Sequence, residues 1–101
     1  MIDDINIPAV PVHPGEILAK EFLEPTGLTQ TALAAHLDVP VRRINEICRG
    51  RRAVSAETAW LLAQAFDTSP QFWLNAQAIY ELTIAKREGR IHEVTRVAPG
   101  S

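Results

Sequence analysis

Seven residues between Pro40 and Arg52 carry hydrogen-bonding groups of the kinds that read base edges: Arg42, Arg43, Asn45, Glu46, Arg49, Arg51 and Arg52. A guanidinium can donate twice to guanine, an asparagine amide pairs with adenine, and a glutamate carboxylate accepts from cytosine. The same stretch holds five arginines against one carboxylate, a local charge of +4, so the rest of the chain must carry −6 to give the overall −2. Charge divided this way presents one face to phosphates while the remainder of the surface is repelled by them. Arg51 and Arg52 lie past the region of helical spacing and suit contacts to the phosphate backbone rather than to bases. Gln30 and Thr31, earlier in the chain, stand where a helix would begin, and N–H groups at such an end can hold a phosphate.

Side chains of this kind act only if a frame aims them. The chain offers five helical stretches, which makes the expected class all-α. His13-Pro14-Gly15-Glu16 opens the first, with proline in the first turn and an acid near the positive end of the helix dipole. His13 itself could serve as the capping residue. Leu18 and Phe22 would face inward, and Glu24-Pro25-Thr26-Gly27 stops the run. Thr29 caps a second helix, Gln30 to Leu37. Asp38-Val39 forms a short turn. Pro40 opens a third helix to about Arg49, and Gly50 follows its end. Ser55 caps a fourth with an inward stripe of Ala59, Leu62, Ala63 and Phe66. Ser69 and Pro70 start a fifth that runs to roughly Arg87, with Phe72, Ala76, Ile79 and Tyr80 at helical spacing. Gly89 ends it.

The second and third helices have the proportions of a helix-turn-helix between Gln30 and Arg51. That motif needs a small residue where the helices cross, met by Ala34. It also needs aliphatic residues on the buried sides, met by Leu33, Leu37, Val41, Ile44 and Ile47. With those inside, Arg42, Arg43, Asn45, Glu46 and Arg49 point out. The turn calls for a residue tolerant of positive φ, and Asp38 stands where glycine is usual. Residues 1–12 read as an amino-terminal arm, 13–88 as the helix-turn-helix domain, and 89–101 as a tail that could form a short strand from Ile91 to Val97.

Other chemistries find little support. A chain of 101 residues is enough for one domain. No stretch approaches the roughly 18 apolar residues of a membrane span. The acidic start Met1-Ile2-Asp3-Asp4 lacks the basic region of a secretory signal, and the single cysteine, Cys48, gives no disulfide framework. A cytoplasmic protein without membrane contact is expected. His13, His36 and His92 share no ligand spacing, so no metal site is expected. Cys48 reads as a small, partly buried side chain rather than a nucleophile, and scattered glycines form no phosphate loop. Neither a cofactor nor an enzyme activity is expected.

The runs His13-Pro14-Gly15-Glu16-Ile17-Leu18, Glu21-Phe22-Leu23-Glu24-Pro25 and Gly27-Leu28-Thr29-Gln30 resemble the HigA-type antitoxins of the Xre, or lambda-repressor-like, family. Arg43-Ile44-Asn45-Glu46-Ile47, Gly50-Arg51-Arg52 and Thr68-Ser69-Pro70-Gln71-Phe72-Trp73-Leu74-Asn75 extend the resemblance over about residues 13–80. It implies a five-helix domain that dimerises and represses its own operon from a palindromic operator in double-stranded DNA. It also implies a protein partner, a HigB-like ribonuclease toxin that the antitoxin neutralises. One motif reads only a few base pairs, so a homodimer on two half-sites is expected. Trp73, Ile79 and Tyr80 are the candidates for joining the subunits, with closure of the monomer core as their alternative role. Two other functions remain open on the sequence: a stand-alone repressor without a toxin, and a helical protein-interaction module.

Overall fold

The computed structural model describes residues 9–100, in five helices and no strand among them. The expected arm lies mostly outside the described residues. The first helical run, α1 (14–26), starts as α-helix over Pro14–Ile17, widens to a π-helix over Leu18–Leu23 and closes with Glu24–Thr26. In the widened part the Glu24 N–H reaches the Ala19 carbonyl, five residues back. Pro25, which has no N–H to donate, follows directly. The Thr26 hydroxyl donates to the Phe22 carbonyl at 2.6 Å, and Gly27 ends the run with φ 69°.

Four further helices follow: α2 (Gln30–Leu37), α3 (Val41–Cys48), α4 (Ala56–Phe66) and α5 (Pro70–Arg87). Three of them, α2, α4 and α5, have the side-chain N-caps that the sequence predicts. Thr29 accepts from Ala32 N–H, Ser55 from Thr58 N–H and Ser69 from Phe72 N–H. Each such cap stabilises its helix by about 1 kcal/mol. Between α2 and α3, Asp38 adopts φ 58°, the left-handed conformation that the turn demands.

One core holds the helices together. Leu18, Leu33, Ile44, Ile47, Leu62 and Trp73 are all completely buried, and burial of a large aliphatic side chain is worth roughly 1.5–3 kcal/mol. The α2 and α3 helices pack on each other, α4 packs on α5, and the start of α1 touches both α3 and α5. Ala34 is buried as the helix crossing requires. Gly15 is buried as well, and a Cβ placed on it would lie 1.6 Å from the Ile47 carbonyl oxygen. Only glycine lets α1 come this close to the end of α3.

Three expectations about the scaffold are corrected. Val41 is 46% exposed rather than inward. Helical side chains lean toward the N-terminus of their helix, so the first residue of α3 leans past the edge of the core. The inward face of α5 is Trp73, Gln77 and Thr83, while Phe72 and Ile79 are on the exposed side. Buried polar groups replace the apolar repeat there because each has a partner: Gln77 Oε1 accepts from Val54 N–H at 2.9 Å, and the Thr83 hydroxyl donates to the Ile79 carbonyl at 2.7 Å. Finally, Ile91 to Val97 form no strand. Ile91, Val94 and Val97 are exposed, and no strand among the described residues offers them a ladder.

Candidate nucleic-acid interface

Two residues of α3, Ile44 and Ile47, are locked in the core, and this fixes the rotation of the helix about its axis. The end of α3 is fixed from outside the motif. Gly15 abuts the Ile47 carbonyl, and a Cβ placed on Gly50, just past the helix at φ 73°, would lie 3.6 Å from the His13 ring. His13 is the cap of α1, as one reading of the sequence allowed: its Nδ1 accepts from Gly15 N–H at 2.9 Å. Its ring meets Tyr80 edge-on, with centroids 4.8 Å apart. Burial pushes the His13 pKa down, partly opposed by the charge of Glu81, which keeps the imidazole in the neutral form the cap needs. Behind the following loop, Gln77 holds the Val54 N–H and donates to Glu81 Oε2 at 2.8 Å.

The predicted contact residues then fall into three groups. Asn45 donates to Gln30 Oε1 at 3.2 Å, joining the outer side of α3 to the first residue of α2. This leaves the Gln30 amide nitrogen to offer to a phosphate oxygen, beside the exposed Thr31 in the same helical turn. Arg42, Arg43 and Arg52 form the second group, each paired with a carboxylate. Glu46 takes Arg42 and Arg52, and Glu57 takes Arg43 Nη1 at 3.0 Å. Hydrogen bonds from Arg52 and then Arg42 pull the Glu46 pKa below the usual carboxylate range. Arg49 and Arg51 form the third group; they are exposed and make no ion pair among the described residues. All nine residues thus belong to α2, α3 or the turn after α3. Glu46 is engaged by arginine rather than open to cytosine.

Three positioning residues escaped the sequence reading. Gly15 reads in the sequence only as part of a helix start, though a glycine in a first turn can mark a close helix approach. Glu57 does not enter that reading, since an acidic residue in the first turn of a helix is ordinary. Gln77 carried no signal, since a buried amide interrupts the apolar pattern that would have revealed it.

Of the candidate subunit-joining residues, Trp73 is committed to the monomer: it is fully buried, and its Nε1 donates to Thr68 Oγ1 at 2.8 Å. A side chain without accessible surface has none to give a partner. Tyr80 is half-buried against His13, and Ile79 is 39% exposed. Cys48 is half-buried, and burial pushes its thiol pKa up, which favours the protonated, unreactive form. No helix among the described residues is long and apolar enough to cross a membrane.

Comparison with known proteins agrees with this geometry. A helix-turn-helix family model matches residues 20–73. Virulence-associated protein I of Dichelobacter nodosus is 47% identical over 77 residues, spanning 76% of this chain and 71% of that protein. Antitoxin HigA-1 of Vibrio cholerae serotype O1 is 40% identical over 72 residues, 71% of this chain and 68% of the relative. Among solved structures, the Pseudomonas aeruginosa antitoxin HigA with the higBA promoter is 41% identical, covers 88% of this chain and all of its own, and superposes with a TM-score of 0.80. By sequence and by fold, the chain belongs to the helix-turn-helix family of Xre type, together with the HigA antitoxins.

Proposed function

We propose that this protein is a sequence-specific DNA-binding antitoxin that represses its own operon and neutralises a HigB-like, mRNA-cleaving toxin. The observation that carries the DNA reading is α3 itself. Its inner face is fixed by Ile44, Ile47 and the Gly15 contact, and its outer face presents Arg42, Arg43 and a Gln30-linked Asn45. This combination of a rigid mount and a polar, basic outer face suits insertion into the major groove. Support also comes from the structural relative with its promoter DNA. The toxin partner rests on kinship with the HigA antitoxins.

The protein acts as a binder rather than an enzyme, in the cytoplasm where its DNA is. Two copies on a palindromic operator give the length of sequence that one copy cannot read. With Trp73 fully buried and Tyr80 half-buried inside the monomer, the exposed Ile79, together with Leu82 three residues on, offers apolar surface on α5 for a subunit contact.

Binding of the purified chain to its own upstream DNA and to scrambled DNA, at two salt concentrations, tests the first half. Tight binding to the upstream fragment alone is expected. Equal, salt-sensitive binding to both would reduce the site to an electrostatic patch, and binding to neither would make the chain a protein-interaction module. For the second half, co-expression with a neighbouring toxin-sized reading frame should relieve growth arrest and give a co-purifying pair. Growth arrest that persists would leave a stand-alone repressor.

A further inference from the structure

Glu46 is the sole carboxylate between Pro40 and Arg52, and both of its oxygens are in use. Oε2 accepts from Arg42 Nε at 2.9 Å, while Oε1 accepts from Arg52 Nε at 2.9 Å and lies 2.7 Å from Arg52 Nη2. Its backbone carbonyl accepts the Arg51 N–H at 2.8 Å. One residue therefore folds the arginine-bearing turn back onto α3 through side chain and main chain together. The carboxylate is also the more shielded partner: its side chain is 24% exposed, against 47% for Arg52 and 83% for Arg42. A guanidinium is a stronger partner for a carboxylate than the neutral amino group of a base, so Glu46 is poorly placed to read cytosine.

We propose that Glu46 is a specificity-determining residue that acts through Arg42 and Arg52, holding both so that only DNA with acceptors in register with them draws them away. The inference rests on the DNA-binding reading above. Its physical basis is a competition. An untethered arginine on a flexible stem finds a phosphate on any sequence, which is the origin of non-specific, salt-dependent affinity. An arginine held by a carboxylate must exchange that partner for the DNA, and the exchange is favourable only where the new acceptors lie within reach of the held geometry. Arg49 and Arg51, without carboxylate partners among the described residues, supply attraction that is independent of sequence. Glu46 also sets one negative charge among five positive ones, which lowers the attraction for phosphate generally.

The test is Glu46→Gln, an isosteric change that keeps the side chain's size and leaves the backbone bond to Arg51. The full chain and the variant are titrated with upstream and scrambled DNA across a salt series, and thermal melts check that both are folded. Affinity of the variant for scrambled DNA should rise roughly three- to tenfold, and the dependence of log K on log salt should steepen by about one to two. Affinity for upstream DNA should change less, so that discrimination falls. Adding Arg52→Gln should remove much of the gain, as the coupling of two interacting residues requires. A variant that loses upstream affinity with no gain on scrambled DNA would make Glu46 a base reader and overturn the proposal. Unchanged affinity for both DNAs would overturn it too, showing the ion pairs to be idle. Failure of the unmodified chain to prefer upstream DNA would instead strike the DNA-binding reading itself.

Discussion

Arg43 and Ile44 are neighbours in the chain, about 100° apart around α3, yet they are held in different ways. Ile44 has no exposed surface and belongs to the core that includes Leu18, Leu33 and Trp73. Arg43 is held by Glu57 at the surface, in contact with water. The first is positioned by packing, which tolerates no change of volume. The second is positioned by an ion pair, which DNA can replace. The mount of α3 and its proposed reading face are therefore governed by different physics, and substitutions should divide in the same way.

The sharpest division is expected at Ile44. Ile44→Ala should cost about 2–5 kcal/mol of folding stability, read from the denaturant midpoint. DNA affinity of the fraction that remains folded should change far less. Gly15→Ala comes next. Its Cβ has no room beside the Ile47 carbonyl, so a penalty near the upper end of the roughly 1–3 kcal/mol typical of overpacking is expected. Because α1 would have to lift from α3, operator affinity should fall together with the melting temperature. A variant as stable as the parent would show that this close approach is not part of the mount.

Arg43→Ala should do the opposite, weakening sequence-specific binding by roughly 1–3 kcal/mol. Stability should stay within about 1 kcal/mol, because the pair with Glu57 is a surface one. An unchanged operator affinity would remove Arg43 from the reading face.

The smallest effect concerns acid. The folded protein holds the His13 pKa below its ordinary value of 6.5, so as pH falls the unfolded chain takes up the proton first. The stabilising contribution of neutral His13 is thus present above pH 6.5 and is lost as pH falls through 6.5 toward the folded pKa. Stability measured between pH 7.5 and 5.5 should decline. His13→Asn keeps a capping acceptor without an ionisable ring and should flatten that part of the profile. An identical profile for the variant would assign the decline to other groups.

Much of the proposed reading face is legible because its outward placement follows from geometry within one helix. Ile44 and Ile47 inside place Arg42, Arg43 and Asn45 outside, and Asp38 in the left-handed turn fits an aspartate's tolerance for that conformation. The caps are legible for a similar reason, since Thr29, Ser55 and Ser69 each act on the residue three positions on. What the sequence hid depends on partners distant in the chain. Gln77 is inside because Val54, from another part of the chain, offers it an N–H, and Gly15 is glycine because Ile47 lies against it. Glu46 reads as a base contact in the sequence because its spacing from Arg42 gives no sign that Arg52 folds back to join it.

The contacts of Gly15 and Gln77 bear on whether the motif can be moved. A peptide spanning residues 30–52, or the same segment grafted into another protein, would carry every side chain proposed to meet DNA. It would lack the glycine of α1 that seats the end of α3 and the amide of α5 that anchors the loop beyond it. Engineers seeking a new operator for this protein should therefore exchange outward residues within the intact chain, because the motif's orientation is a property of the first and last helices.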